Sequence, residues 1–181
     1  LTKQARVVTP NPKTSGAAKL TVLALWGAVT RAGGSEAEAD AFVGDVYRRV
    51  PSLETSARAA TVTFARKGIG DVQLAWENEA WLEHDESRGG IEVVYPTRSI
   101  RAEPHVCVVD AVARRRGTAE AADRYVKFLY DPAAQAVMAE QYLRPANPDG
   151  LGEAAAAKVR VMTAGLADDP KSLFSVRDIL P

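Results

Sequence analysis

The residues best placed to do chemistry stand where a short apolar run gives way to a helix. Residues 10–18, PNPKTSGAA, contain two prolines that end the run at 5–8, and Thr14 or Ser15 can cap the following helix. The first helical turn, GAA, carries almost no side chain, so its N–H groups stay open to solvent or to a ligand. Free donors, a positive dipole end and a neighbouring hydroxyl together suit an anion. An ordinary capped helix explains the same residues, and both interpretations stay open.

A second stretch repeats this pattern. Residues 53–61, LETSARAAT, again place small and hydroxyl residues ahead of a helix, which we expect to end at Lys67 with Gly68 as the left-handed residue after it. Glu54 is the one acidic residue in either stretch. The sequence therefore predicts two helix starts whose donors meet little negative charge.

Residues typical of catalysis or metal binding are scattered. His84 and His105 lie far apart in the sequence, without ligand-like spacing, and we expect neither to be catalytic or to hold a metal. A serine hydrolase using Ser15 is the rival interpretation, but it needs a base in reach of Ser15 and a Gly-x-Ser-x-Gly elbow that the sequence lacks there. No phosphate-binding loop of the Gly-x-x-x-x-Gly-Lys type follows the first strand.

Composition limits the remaining classes. The 181 residues have a formal net charge of zero, so no global field recruits nucleic acid or an anionic membrane. The arginines at 114–116 are expected in a solvated loop, and Cys107, the single cysteine, is expected to be a small buried residue of the apolar run 106–109. No segment approaches a membrane span and no signal-peptide pattern opens the chain, which predicts a cytosolic protein or a processed or truncated piece.

Strands and helices alternate along the chain, which predicts an α/β sheet with helices on both faces. Apolar runs of strand length lie at 5–8, 71–76, 91–94 and 106–109, with a candidate strand at 158–162. Helical patterns lie at 19–31, 35–49, 57–67, 77–84, 118–130, 132–142 and 151–157, and a last helix begins at 175. In the helix at 118–130, Tyr125 and Leu129 should point inward.

The second half of the chain is thin in strands. After residue 103 only the run 106–109 is a clear strand, and its flanking helices need a sheet to pack on. We therefore expect one complete lobe, at about residues 5–96, joined to part of another.

Four motifs resemble the sulfate-binding proteins of ABC importers, a group that includes thiosulfate binders. They are VVTPNPKTSG at 7–16, GIGDVQLAWENE at 68–79, VYP at 94–96 with AEP at 102–104, and FLYDP at 128–132. The resemblance implies a two-lobed fold of the type II periplasmic binding protein class. It also implies an anion-binding lobe (lobe two) at 5–96, hinge crossings at 1–4 and 97–103, and a partial lobe one at 104–181. The first half of lobe one, which precedes residue 1 in the family, is then missing, as is a C-terminal tail.

The same resemblance implies a set of uncharged donors for the anion. Ser15 would give its hydroxyl, Gly16 and Ala17 their first-turn N–H groups, Ala57 its backbone N–H, and Trp76 its indole N–H. Sulfate carries no proton at neutral pH and needs donors only, whereas a protonated phosphate would need an acceptor. By contrast, we expect Trp26 and Trp81 to be core residues on apolar helix faces.

The function implied by the resemblance is capture of sulfate, or a related oxyanion, in a cleft between lobes. Hinge closure and delivery to the membrane permease of an ABC importer would follow, in the periplasm or another extracytoplasmic space, with no cofactor or metal and no enzymatic activity. An alternative is a non-transporting remnant that acts as a scaffold or pairs with a partner completing lobe one.

Two departures from the family bear on the expected affinity. The family usually has glycine where this chain has Ala17, Ser56 and Ala59, and a side chain there narrows the pocket if the anion approaches the backbone closely. The missing part of lobe one supplies further donors in the family. We therefore expect this chain alone to bind sulfate weakly or not measurably.

Overall fold

The computed structural model describes residues 5–166 and 173–179. These residues form two compact units, the first of residues 5–102 with 173–179 and the second of residues 103–166. The first unit contains β1 (Val7–Val8), α1 (Gly16–Thr30), α2 (Glu36–Arg48), α3 (Ala57–Thr61) with a π-helical turn (Val62–Arg66), β2 (Val72–Gln73), α4 (Glu77–Glu86), β3 (Ser99–Ile100), β4 (Leu173–Phe174) and a 3-10 turn (Val176–Asp178). The second contains α5 (Asp110–Arg116), α6 (Ala119–Phe128), α7 (Pro132–Glu140) and α8 (Glu153–Gly165).

Two short parallel strand pairs organise the first unit. In one, β1 pairs with β2, with Val7 opposite Val72, and in the other β3 pairs with β4. Val7 and Val8 are almost completely buried. Because β-branched residues fit a pleated surface between packed layers, the predicted first strand forms as expected.

Side-chain caps fix where the helices begin. Ser35 and Glu38 form the predicted capping box at the start of α2. In the second unit, Asp131 caps α7 ahead of Pro132, also as predicted. Gly68 has φ +64°, the left-handed conformation expected of it at the end of the helical segment.

The C-terminal described segment packs against α1. An added Cβ at Gly27 would stand 2.5 Å from the ring of Phe174 and 3.2 Å from Ile179. Phe174 is 3% exposed. Because Gly27 has no side chain, the ring of Phe174 packs directly against α1. This contact joins early and late parts of the chain in one core.

Several predicted strands are wrong. Residues 91–94 and 106–109 form no strand, Cys107 is exposed, and the run at 71–76 is reduced to β2, because a strand persists only where a neighbour pairs with it. Residues 158–162 lie inside α8, where the preceding alanines favour a helix over the strand preference of the valines.

Three smaller predictions also differ from the structure. The arginines at 114–116 end α5 rather than forming a loop. Tyr125 is 62% exposed rather than inward. The expected helix at 175 is a 3-10 turn, and the predicted hinge crossing at 1–4 lies outside the described residues. The lobe boundaries stay a prediction.

Candidate anion-binding site

Backbone contacts bring the two predicted helix starts side by side. Pro10 and Glu54 form an isolated parallel bridge, and the amide of Asn11 donates to the carbonyl of Glu54 at 2.7 Å. One residue before the cap of α1, Thr14 Oγ1 donates to the carbonyl of Thr55 at 3.0 Å. The segments leading into α1 and α3 are thus held together by three contacts within the first unit.

Each helix start has one capped amide and two open ones. Ser15 Oγ accepts from Ala18 at 3.4 Å, and Ser56 Oγ accepts from Ala59 at 3.2 Å. The four amides ahead of these have no acceptor in the part of the chain that the structure describes; they belong to Gly16, Ala17, Ala57 and Arg58. Open amides at two adjacent helix starts are the donors that an anion needs.

One pocket collects three of the five predicted site residues. Ala17, Ala57 and Trp76 line it, together with Pro10, Thr21, Ala60, Thr61, Gln73, Leu74, Ala75 and Glu79; we call this the anion pocket. Ser15 and Gly16 immediately precede Ala17 but do not line it. The enclosed volume is about 10 Å³, about the room that one water needs. A space of this size has no room for an ion with five heavy atoms.

Trp76 differs from the other two tryptophans in its hydrogen bonding. The indole of Trp26 donates to Asp40 Oδ1 at 3.1 Å, and that of Trp81 to the hydroxyl of Tyr95 at 2.8 Å. The indole N–H of Trp76, at the start of α4, has no acceptor within residues 5–166 and 173–179. A half-buried indole usually finds a partner, so this donor is open to a ligand.

Acidic side chains also approach the anion pocket. Glu79 lines it, and its carboxylate lies 4.0 Å from the guanidinium of Arg58. Four residues later on α4, Glu83 is 4% exposed and accepts from Gln73 Nε2 at 3.3 Å. Burial raises the pKa of Glu83, and hydrogen bonding with Thr61 and Gln73 offsets part of that rise.

Sequence reasoning missed this buried polar group. Thr61 Oγ1 donates to the carbonyl of Ala57 and accepts from Gln73, so the group reaches a predicted donor residue. The available signal was the spacing of Glu79 and Glu83, because residues four apart share one side of a helix.

Ala17, Ser56 and Ala59, the positions at which the resemblance implies glycine in the family, carry no backbone strain here. Ser56 has φ −148°, an extended conformation open to any residue, and Ala17 and Ala59 are helical. Alanine favours a helix over glycine by about 1 kcal/mol. The departures at Ala17, Ser56 and Ala59 are therefore compatible with the fold.

The described residues contain neither a candidate metal site nor a candidate membrane-spanning helix. No group of three or more His, Cys, Asp or Glu side chains in this part of the chain is arranged to hold a metal ion. Among the helices of residues 5–166 and 173–179, none is long and apolar enough to cross a membrane.

Comparisons with known proteins agree with the predicted resemblance. The family model for bacterial extracellular solute-binding proteins matches residues 1–144. The chain is 47% identical over 149 residues to a thiosulfate-binding protein of Pseudomonas aeruginosa, an alignment that covers 82% of this chain and 45% of that protein. It is 46% identical over 145 residues to a sulfate-binding protein of Escherichia coli, covering 79% and 44%.

A solved structure supports the fold. The sulfate-binding protein SubI of Mycobacterium tuberculosis superposes with a TM-score of 0.74 at 27% identity, covering 97% of this chain and 56% of that one. The predicted α/β, periplasmic binding protein-like fold class is confirmed. The chain spans less than half the length of the two curated relatives described above.

Proposed function

Because the chain belongs to the family of bacterial extracellular solute-binding proteins, we propose that it binds sulfate or a related oxyanion for an ABC importer. The anion would lie in the mouth of the anion pocket, in an extracytoplasmic space, before transfer to a membrane permease. The observation that carries this proposal is the meeting of two open helix starts with the unpartnered indole of Trp76.

The donor set favours an ion that carries no proton. The amides of Gly16, Ala17 and Ala57 and the indole of Trp76 can each donate once. Ser15 Oγ accepts from Ala18 and keeps its own hydrogen for an acceptor outside the protein. Donors of this kind replace the hydrogen bonds that a dianion loses with its water on binding. A protonated phosphate needs a hydrogen-bond acceptor as well.

Glu79 and Glu83 oppose a dianion electrostatically, and two features reduce that opposition. Arg58 stands beside Glu79, and the raised pKa of Glu83 keeps its proton bound to higher pH. The positive ends of α1 and of the α3 segment add about half an elementary charge each. This balance supports weak binding by the chain alone.

We propose that the protein is a binding component rather than an enzyme. Ser15, the nucleophile that a serine hydrolase would need, is 8% exposed. Within the described residues its hydroxyl bonds only to the amide of Ala18, so no base is in place to activate it. A further partner, or the segment that completes lobe one, would close over the bound anion.

A titration followed by two-dimensional ¹H–¹⁵N NMR tests the proposal even when affinity is weak. Sodium sulfate should shift the indole resonance of Trp76 and the amides of Gly16, Ala17 and Ala57, with a saturating dependence on concentration. The indoles of Trp26 and Trp81 serve as internal controls, and sodium chloride at equal ionic strength controls for screening. Sulfate shifts equal to the chloride shifts at the predicted donors would refute the proposed site.

A further inference from the structure

Glu83 is a buried carboxyl group that lies directly behind the wall of the anion pocket. The residue is 4% exposed, and its Oε1 accepts from Gln73 Nε2 at 3.3 Å. The same amide nitrogen donates to Thr61 Oγ1 at 3.2 Å. Gln73 and Thr61 both line the anion pocket. The carboxyl group therefore touches the pocket wall from its buried side.

The charged groups around Glu83 do not neutralise it by direct contact. Arg58 of α3 pairs instead with Glu79 at 4.0 Å, and Glu83 forms no ion pair with any residue that the structure describes. His84, the next residue of α4, directs Nδ1 to the carbonyl of Ile91 at 2.7 Å. Burial raises the pKa of Glu83, while the charges of Glu79 and Arg58 act on it in opposite directions.

The side chain of Gln73, which faces Glu83 from β2, offers an acceptor for a protonated carboxyl. Gln73 Oε1 is buried and has no hydrogen-bond partner among the described residues. A protonated Glu83 carries a hydrogen that needs an acceptor. A half-turn of the Gln73 amide exchanges its oxygen with its nitrogen and brings Oε1 to the position that faces Glu83. The hydrogen gained by Glu83 would then satisfy the unpartnered oxygen.

We propose that Glu83 is a proton-binding site coupled to the anion pocket, so that the pocket takes up a dianion together with a proton from solvent. An ionised carboxylate behind the pocket wall repels a dianion, and burial limits the screening of that repulsion by salt. Protonation of Glu83 removes the repulsion and leaves every predicted donor in place. This deepens the proposed function and rests on it.

The coupling is reciprocal. If the proton on Glu83 raises the affinity for sulfate by some factor, bound sulfate raises the affinity of Glu83 for its proton by the same factor. Two independent measurements therefore report on one quantity. One follows the anion as the pH changes, and the other follows the proton as sulfate is added.

The first measurement is the sulfate dissociation constant, obtained by NMR titration of the amides of Gly16 and Ala57 from about pH 4 to about pH 8. Sulfate stays a dianion over this range. In the parent chain the affinity should fall at least about fivefold as the pH rises, the lower end of the usual coupling between two sites. Glu83→Gln cannot ionise and should keep the same affinity throughout. Glu86→Gln, an exposed change on α4, should behave as the parent does.

The histidines are controlled for by the same comparison. Their side chains titrate within this range, but His84 and His105 are present in the parent and in both variants. A pH dependence that they cause would appear in all three proteins. Only the difference between the parent and Glu83→Gln reports on Glu83.

The second measurement follows the proton on the parent chain itself and does not depend on the folding of a variant. The carboxyl carbon of Glu83 is titrated by ¹³C NMR in saturating sodium sulfate and in sodium chloride of equal ionic strength. Its midpoint should lie higher in sulfate by about 0.7 of a pH unit or more, the logarithm of a fivefold coupling.

The outcomes separate this coupling from the proposed function. An affinity that falls equally with pH in the parent and in Glu83→Gln would overturn the coupling and leave the proposed function in place. A midpoint that is the same in sulfate and in chloride would do so as well. The absence of a saturable sulfate shift at the predicted donors at every pH would overturn both.

Discussion

Trp76 is the residue on which the proposed site depends most. An indole N–H inside a half-buried position costs free energy unless it has an acceptor, and the acceptor here has to come from outside the described residues. Its neighbours in the anion pocket, Ala17 and Ala57, offer only backbone groups. Of the two predicted side-chain donors, the Ser15 hydroxyl also caps α1, whereas the Trp76 indole can be removed without the loss of a helix cap.

Replacing Trp76 by phenylalanine should weaken sulfate binding by about tenfold or more, because a donor to a charged partner contributes roughly 1–3 kcal/mol. Phenylalanine keeps an aromatic ring at this position, although a smaller one than the indole. The dissociation constant is measured by NMR titration of the amides of Gly16 and Ala57. Trp26→Phe is the matched control, since that indole already donates to Asp40. Equal affinity in the two variants would remove Trp76 from the site.

Glu83 should make the free energy of unfolding fall as the pH rises. Its pKa is raised in the folded protein, mainly by burial, so the folded state holds this proton more tightly than the unfolded state does. The stabilising contribution is complete below the unfolded pKa and is lost as the pH rises, from about pH 4 upward, through the folded pKa. Ionised Glu83 thus lowers the free energy of unfolding at high pH.

Glu83→Gln should therefore gain stability relative to the parent chain as the pH rises, because glutamine does not titrate. The free energy of unfolding in urea is measured at several pH values. Glu86→Gln, an exposed change on the same helix, should differ from the parent by no more than about 0.5 kcal/mol. A Glu83→Gln difference that is flat with pH would mean that the carboxylate is not held in a buried environment.

For single residues, the sequence allowed a prediction where the feature depends only on neighbouring residues. Ser15 and the amides after it could be predicted as a helix start from the residue types alone. Ala57 and Trp76 required the resemblance, because nothing in an alanine or in one tryptophan indicates a donor role. Glu83 could not be predicted to be buried, since its burial depends on Gln73 and Thr61 from other elements.

Among the elements, the pair of helix starts depends on a single side-chain contact across the two segments. The hydroxyl of Thr14 bridges to the carbonyl of Thr55, while the remaining links there use backbone groups. The hydroxyl therefore acts together with the backbone bridge in holding the donors on α1 beside those on α3.

Thr14→Val should lower the free energy of unfolding by about 1 kcal/mol, the usual net contribution of one hydrogen bond. It should also speed hydrogen exchange at the amide of Ala57. Thr14→Ser keeps the hydroxyl and should preserve both quantities, apart from the lost methyl group. If the valine and serine variants exchange at the same rate, the contact does not hold the helix starts together.

Helices were predicted better than strands for a physical reason. A helix forms its backbone hydrogen bonds within one segment of the chain. Its N-terminal cap can be recognised from neighbouring residues, as at Ser35 for α2 and Asp131 for α7. A strand needs a partner from elsewhere in the chain. The runs at 91–94 and 106–109 have strand composition, but no described segment lies in register beside them.

For the molecule as a whole, the contact of Gly27 with Phe174 shows how the first unit is closed. A methyl group at Gly27 would overlap the buried ring of Phe174, so the helix or the ring would have to shift. This long-range contact could not be predicted from the sequence, since nothing local links the two residues.

Gly27→Ala should lower the free energy of unfolding by about 1–3 kcal/mol through overpacking. Gly44→Ala in α2 is the control, because its Cβ would meet only the flexible end of Arg48 at 3.4 Å. The control should be neutral or gain up to about 1 kcal/mol from helix propensity. Both are measured by urea denaturation followed by tryptophan fluorescence. Equal stability of the two variants would show that the ring does not pack on Gly27.

The first unit is made of two separate stretches of the chain, so its two parts are synthesised at different times on the ribosome. The second unit is one uninterrupted stretch, residues 103–166, whereas the first needs residues 173–179 to cover α1. All of residues 103–166 are thus synthesised before residues 173–179 emerge. Until translation reaches Phe174, the nascent α1 keeps an apolar side uncovered, and that is the interval in which a chaperone or protease would meet it.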